Sequence, residues 1–269
     1  MKLNAIGHEV ARGGYVAAMM MAASVFRDKP LPLPLLRFGR SLAPFDNALT
    51  PRKAVSVLEP RLIDDSGMRR AFEGKTFDEW SLDHEAINRL RQRFLQIGPD
   101  SVLEFGSGVS TVVFSYLLRE RFADDAPRLV SVEQSADFAG RTETLLARSG
   151  SRKAVQFEFP GMADYEFEGE TVSSYNLSDE VLGRVFSAIR PSLIFIDGPF
   201  GAGPVRAPVL PRILPYLTWP ATVILDDALR DNEMRILEAW SALPGVSVKG
   251  ISLIRKGLAE LTVTPPPRL

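Results

Sequence analysis

The chain has 269 residues, 45% of them hydrophobic and 24% charged, and a formal net charge of −1. That is the profile of an ordinary globular protein, with no overall basic footprint for nucleic acid. It has no cysteine and only two histidines, His8 and His84, which excludes disulfides, zinc–thiolate centres, thiol nucleophiles and histidine-rich metal sites.

Two segments are expected, a basic N-terminal extension over residues 1–53 and a domain over 54–265. The extension carries +5, which leaves −6 for the remainder. Leu3, Ile6 and Val10 keep helical spacing, and residues 15–26 form an apolar run between Arg12 and Arg27. Twelve residues are too few to span a bilayer as a helix, which needs about 20. The expectation is a cytoplasmic protein whose first helix packs on its own body or on a second copy in a homo-oligomer. Other readings are a secretory leader led by Lys2 and Arg12, or a basic helix on an anionic membrane surface. Pro30, Pro32, Pro34, Pro44 and Pro51 predict an extended linker.

Asp64-Asp65-Ser66 reads as a cap before a short helix over 68–72. Ser81 or Asp83 caps the next helix, with Ile87, Leu90, Phe94 and Leu95 on its face and a stop at Gly98-Pro99. The run Ser101-Val102-Leu103-Glu104-Phe105 is a buried strand, Gly106-Ser107-Gly108 a sharp turn, and Ser110 or Thr111 a cap for the following helix. A second strand over 128–132 ends at Glu133, 25 residues past Gly108. An acidic residue about 20 residues beyond such a glycine turn suits a ribose. A helix over 135–148 follows, with Phe138, Leu145 and Leu146 inward. A third strand over 154–159 stops at Pro160-Gly161.

Residues 161–178 carry few helix signals and are expected to form an irregular binding loop, with Met162, Asp164 and Tyr165 as candidate contacts. A helix over 179–189 leads to an apolar strand over 191–197 that ends Asp197-Gly198-Pro199. Pro204, Pro208, Pro211 and Pro215 keep the next helix short. A fifth strand over 220–225 ends Asp226-Asp227, a helix spans 229–243, and strands over 246–254 and 258–263 make a closing hairpin. These units predict an α/β, Rossmann-like sheet of seven mostly parallel strands, with helices on both faces.

In such a sheet ligands bind beyond the carboxyl ends of the strands, where the strand order reverses. Glu104, Glu133, Asp197, Asp226 and Asp227 all fall at that edge. A carboxylate at the lip of the glycine turn, Glu104, repels a pyrophosphate and attracts a cation such as an ammonium. Thr111 also stands where a dinucleotide loop has its third glycine. The stretch Leu-Glu-Phe-Gly-Ser-Gly-x-Ser-Thr, with Val-Glu, Ile-Asp-Gly-Pro and Leu-Asp-Asp-Ala-x-Arg downstream, resembles class I S-adenosylmethionine (SAM)-dependent methyltransferases over most of the chain. The resemblance implies strand order 3-2-1-4-5-7-6. It implies SAM held by Glu104, Gly106, Ser107, Gly108, Ser110 and Glu133, with Asp164 near the adenine.

The strand-end aspartates are also similar to those of metal-dependent O-methyltransferases of the catechol and caffeoyl-CoA type. That similarity implies Asp197, Asp226 and Asp227 around magnesium or another divalent cation, with Asp197 and Asp226 as catalytic groups. Asp227 stands where those enzymes have Asn. Phe200 stands where they have a lysine base, and the nearest downstream basic residues are Arg206 and Arg230. Arginine is a poor base and a good clamp for an anionic acceptor. The implied activity is O-methylation of a small-molecule or carbohydrate-like acceptor. Turn and cap duty for the aspartates, a nicotinamide-dependent oxidoreductase, and a non-catalytic partner or scaffold subunit are the competing readings.

Overall fold

The computed structural model describes residues 30–34, 66–75, 81–82, 84–123, 126–254 and 256–265. The N-terminal helix, most of the proline-rich linker, the boundary at residue 53, the cap residues Asp64 and Asp65, and Asp83 lie outside the described residues.

Helices α1 (Ser66–Phe72) and α2 (His84–Ile97) precede strand β1 (Val102–Phe105). They are followed by α3 (Val109–Phe122), β2 (Leu129–Val132), α4 (Ala136–Ser149) and β3 (Val155–Glu158). After a two-stranded insertion, β4 (Met162–Phe167) and β5 (Glu170–Tyr175), come α5 (Asp179–Ala188), β6 (Leu193–Ile196), α6 (Val209–Ile213), β7 (Ala221–Asp226) and α7 (Asp231–Ser241). The last pair is β8 (Val246–Ser252) and β9 (Leu258–Val263). The main sheet runs β3-β2-β1-β6-β7-β9-β8, so the expected order is present with the small hairpin inserted. Strands β1, β2, β3, β6 and β7 are parallel, and β9 is antiparallel to both its neighbours.

Strand alternation divides the core into two layers. Leu103, Phe105, Val130, Val132, Ile194, Ile196, Val223 and Leu225 pack towards α5, α6 and α7. Val102, Leu129, Val155, Leu193, Phe195 and Ile224 pack towards α1, α2 and α3. Both layers are apolar because both faces of a parallel sheet are covered by helices. Leu95 and Phe138, expected inside, are exposed, while Phe94 and Leu146 on the same expected faces are buried.

Two segments differ from expectation. Residues 161–178 are not an irregular loop. Met162 to Phe167 alternate exposed and half-buried, and they pair antiparallel with Glu170 to Tyr175. Glu168 and Gly169 both have positive φ, as a two-residue hairpin turn requires. The second is the linker around Leu31, which exchanges two backbone hydrogen bonds with Ile251 at the edge strand β8, with Leu31 and Leu33 buried in the core. Pairing that edge satisfies backbone groups that would otherwise face water. Among the described residues no helix is long and apolar enough to cross a membrane.

Candidate active site

The parallel ladder places the site residues. Phe105 is level with Val132 on one side and Ile196 on the other, and Ile196 is level with Leu225. One step further on, Gly106 N–H donates to Val132 O, Glu133 N–H to Glu158 O, and Asp197 N–H to Phe105 O. Gly106, Glu133, Asp197 and Asp226 therefore stand in a row at the carboxyl edge. A cavity of about 740 Å³ opens over them, lined also by Ser107, Tyr175 and Arg206.

Gly106 and Gly198 face each other across the point where the strand order reverses. Gly106 has φ +91°, and a Cβ there would lie 2.9 Å from Gly198 N. A Cβ on Gly198 would lie 2.2 Å from the Tyr175 hydroxyl. The narrow crevice exists because neither residue has a side chain.

Glu133 is buried and accepts four hydrogen bonds. Ser107 N–H and Ser107 Oγ reach Oε2, both at 2.8 Å, while Gln134 N–H and Ser135 N–H reach Oε1 at 2.7 and 2.9 Å. These bonds tie the glycine turn of β1 to the end of β2. Gln134 continues the link, since its amide exchanges hydrogen bonds with the N–H and C=O of Phe200. The loop after β6 is thereby fastened beside Glu133.

Glu104 requires a correction. It was expected at the lip of the turn, facing a ligand. It is fully buried beneath the turn and does not line the cavity. Alternation along β1 sends it towards α3, where the hydroxyls of Thr111 (2.6 Å) and Ser131 (2.9 Å) donate to it. Thr111 Oγ1 in turn accepts from Gly108 N–H at 2.8 Å. Glu104 therefore shapes the turn from below, and Glu133 and the strand-end aspartates are the acids that line the cavity. Ser110 is buried in the first turn of α3 and does not line the cavity, and Gly108 acts through its backbone. Asp164 is exposed on β4, and neither it nor Met162 or Tyr165 lines the cavity.

Burial pushes the Glu104 carboxyl from 4.5 up to about 7, against the opposing effect of its hydroxyl donors. The unfolded chain releases that proton near 4.5, whereas the folded chain keeps it to about 7. The folded state thus binds more protons in this window. Its stability falls as pH rises through it, by about 3 kcal/mol in total. Glu104→Gln keeps an acceptor for Thr111 and Ser131 without the ionisation. In urea unfolding the gap between the variant and the parent chain should shift in the variant's favour as pH rises from about 5 to 8. Parallel pH profiles would refute this assignment.

The carboxylate oxygens of Asp197, Asp226 and Asp227 come within 4.8 Å of one another. Between them lies Arg206, a buried side chain that was expected to clamp an acceptor. Its Nη1 donates to Asp226 O (2.9 Å), and its Nη2 to Asp197 O (2.6 Å), Asp197 Oδ1 (3.1 Å) and Asp227 Oδ2 (3.2 Å). Glu233 adds an ion pair at 3.7 Å. The tight turn bearing Arg206 is pinned by Trp240, whose indole N–H donates to Ala207 O at 2.9 Å. Arg230 and Lys256 flank Asp227 from the rim, at 2.9 and 3.6 Å. Asp227 has φ +58° and does not cap the next helix, whose N-cap is Arg230.

Burial raises Asp197 to about 7 despite Arg206 and, with the charges of Asp197 and Asp227, raises Asp226 well above the usual carboxylate range. For Arg206 burial opposes the charge, but Asp197, Asp227 and Glu233 outweigh it and hold the guanidinium protonated.

Tyr175 was missed as a site residue. Its hydroxyl is buried at the cavity wall and has no hydrogen-bond partner among the described residues, while burial and the nearby Glu133 carboxylate keep it protonated. Phe138 and Phe200 are exposed aromatic rings on the same cavity. Their signal would have been alternation along 170–175 and a helix face that leaves Phe138 outside the core.

No protein-family model matches the chain, and no curated protein matches it in sequence. Solved structures share the fold. One is the O-methyltransferase TomG from Streptomyces achromogenes, involved in tomaymycin synthesis and solved with SAM. It is 16% identical with a TM-score of 0.52 over 87% of this chain and 96% of that one. A methyltransferase from Geobacter sulfurreducens is 16% identical, with a TM-score of 0.51 over 88% of this chain and all of that one. A putative caffeoyl-CoA O-methyltransferase from Staphylococcus aureus is 16% identical, with a TM-score of 0.51 over 68% and 84%. The chain has the class I methyltransferase fold.

Proposed function

We propose that this protein is a SAM-dependent methyltransferase that transfers the methyl group to an oxygen of a small polar acceptor. The observation that carries the reading is Glu133, a buried acidic residue one step past β2 that is hydrogen-bonded to the glycine turn of β1. A carboxylate in that place accepts from a ribose hydroxyl of a nucleoside. The Ser107 hydroxyl can rotate away to admit it. The Glu133 carboxylate beside the glycine turn disfavours a pyrophosphate there. This weighs against a nicotinamide dinucleotide. Tyr175 supplies a neutral donor for the carboxylate of the cofactor's amino-acid end. The shared fold of SAM-bound enzymes supports the same reading.

The acceptor enters over Asp197. In the transfer its oxygen attacks the methyl carbon, the S–C bond breaks, and sulfur keeps the bonding pair to become the thioether of S-adenosylhomocysteine. The acceptor proton passes to Asp197, whose carboxyl is raised to about 7 and so is matched to a base working near neutrality. Alignment of the two reactants supplies most of the acceleration. Asn232, Glu233, Arg230 and Lys256 line the acceptor side, beside the Phe200 ring. Such a mixture suits a polyhydroxylated, carbohydrate-like molecule.

Incubation with methyl-labelled SAM and a panel of polyhydroxylated acceptors should yield a labelled methyl ether together with S-adenosylhomocysteine. Asp197→Asn should slow that transfer by about 100-fold or more. Full activity in this variant would remove Asp197 from its role as base.

A further inference from the structure

The acidic cluster at the ends of β6 and β7 has the oxygen donors of a divalent-cation centre, but its seat is filled from within the chain. A magnesium-type ion demands near-octahedral oxygen coordination at about 2.1 Å. Several of the oxygens that would supply it are spoken for, although Asp227 Oδ1 has no hydrogen-bond donor among the described residues. Asp197 Oδ1 and Asp227 Oδ2 accept from Arg206 Nη2, and Arg230 Nη1 lies 2.9 Å from the same Asp227 oxygen. Asp227 Oδ1 faces the Lys256 ammonium at 3.6 Å. The guanidinium also takes the Asp197 and Asp226 carbonyl oxygens. Those carbonyls end two parallel strands and are further hard ligands a metal could recruit here, beside the Asp226 carboxylate.

We infer that Arg206 is the resident cation of this site, standing among the strand-end aspartates that could otherwise hold a divalent ion, and that the protein binds its cofactor and works without one. Arg206 is a positioning residue. It neutralises the cluster and fixes the Asp197 carboxylate, while Asp197 itself faces the cavity. The guanidinium suits this task better than a bound ion would, because it cannot be chelated away and its planar fork sets the carboxylate orientation. Its place is held independently of any ligand, by the turn that Trp240 pins. The inference deepens the methyltransferase reading, but its test does not depend on knowing the acceptor.

The test is Mn2+ uptake by the full chain, followed by loss of the free-ion electron paramagnetic resonance signal. The parent protein should take up no stoichiometric Mn2+. Arg206→Met, which keeps an unbranched apolar stem and removes the guanidinium and its charge, should bind one ion per chain at least about 10-fold more tightly. Asp226→Asn in the same background should abolish that uptake, and Mg2+ should raise the unfolding temperature of Arg206→Met alone. One tight Mn2+ in the parent protein, lost on Asp226→Asn, overturns the inference. So does a folded Arg206→Met that takes up none. Should Arg206→Met fail to fold, the parent measurement still decides. Failure of the parent chain to bind S-adenosylhomocysteine would instead sink the methyltransferase reading, and the two outcomes are read separately.

Discussion

Replacing Glu133 with alanine should weaken S-adenosylhomocysteine binding by about 10- to 100-fold. Hydrogen bonds to a charged acceptor are worth about 1.5–3 kcal/mol each, and every 1.4 kcal/mol is tenfold in affinity. Two losses combine. The ribose hydroxyl loses its acceptor. The N–H groups of Ser107, Gln134 and Ser135, which converge on that carboxylate at 2.7 to 2.9 Å, lose the group that organises the turn. Glu133→Gln separates these effects, since its single carbonyl oxygen still accepts while the amide nitrogen repels the remaining donors. Its affinity should fall between those of the parent and the alanine variant. Calorimetric titration measures all three, and an alanine variant that binds as tightly as the parent would remove Glu133 from the cofactor site.

The second large effect is expected at Gly106. Alanine there would place a Cβ 2.9 Å from Gly198 N and 3.1 Å from Asp197 C, with the backbone held at φ +91°. Both neighbours are backbone atoms locked into the ladder, because Asp197 N–H and Gly198 N–H both donate to Phe105 O. The contact cannot be relieved by a rotamer change. Left-handed strain and overpacking each cost about 1–3 kcal/mol. Gly106→Ala should therefore lose about 2–5 kcal/mol in urea unfolding. Because relief comes only by parting β1 from β6, it should also lose measurable cofactor affinity. Gly108→Ala is the control. Nothing lies within 4 Å of its would-be Cβ, so its stability should change by less than about 1 kcal/mol. Equal losses at the two positions would contradict the crevice geometry.

The fold was legible because its signals were periodic and repeated. Four-residue apolar runs such as Leu193–Ile196, each followed by a turn and an amphipathic helix, leave a doubly covered parallel sheet as the consistent solution. The row Gly106, Glu133, Asp197, Asp226 was legible for the same reason, since strand ends in register bring their next residues to one edge. Side-chain direction was less accessible. Glu104 sits one residue from the turn, but alternation along β1 drives it under the loop, and a carboxylate expected to guard the ligand instead bonds Thr111 and Ser131. Arg206 looked like a free cation because nothing local to a proline-broken segment shows that it returns to the aspartates on two neighbouring strands. The 161–178 segment was misread as irregular although Ala163, Tyr165 and Phe167 alternate with polar neighbours. Its Glu-Gly turn is a weaker hairpin signal than Asn-Gly or Asp-Gly. Tyr175, at the end of that hairpin, was lost with it.

The central claim is that the crevice between β1 and β6 selects an adenosyl nucleoside with an amino-acid tail over a dinucleotide. Calorimetric titration of the full-length protein with S-adenosylhomocysteine and, separately, with NAD tests it most directly. The account predicts saturable heat at one S-adenosylhomocysteine per chain, unaffected by chelator, and none with NAD. Saturable heat with NAD and none with S-adenosylhomocysteine would contradict it.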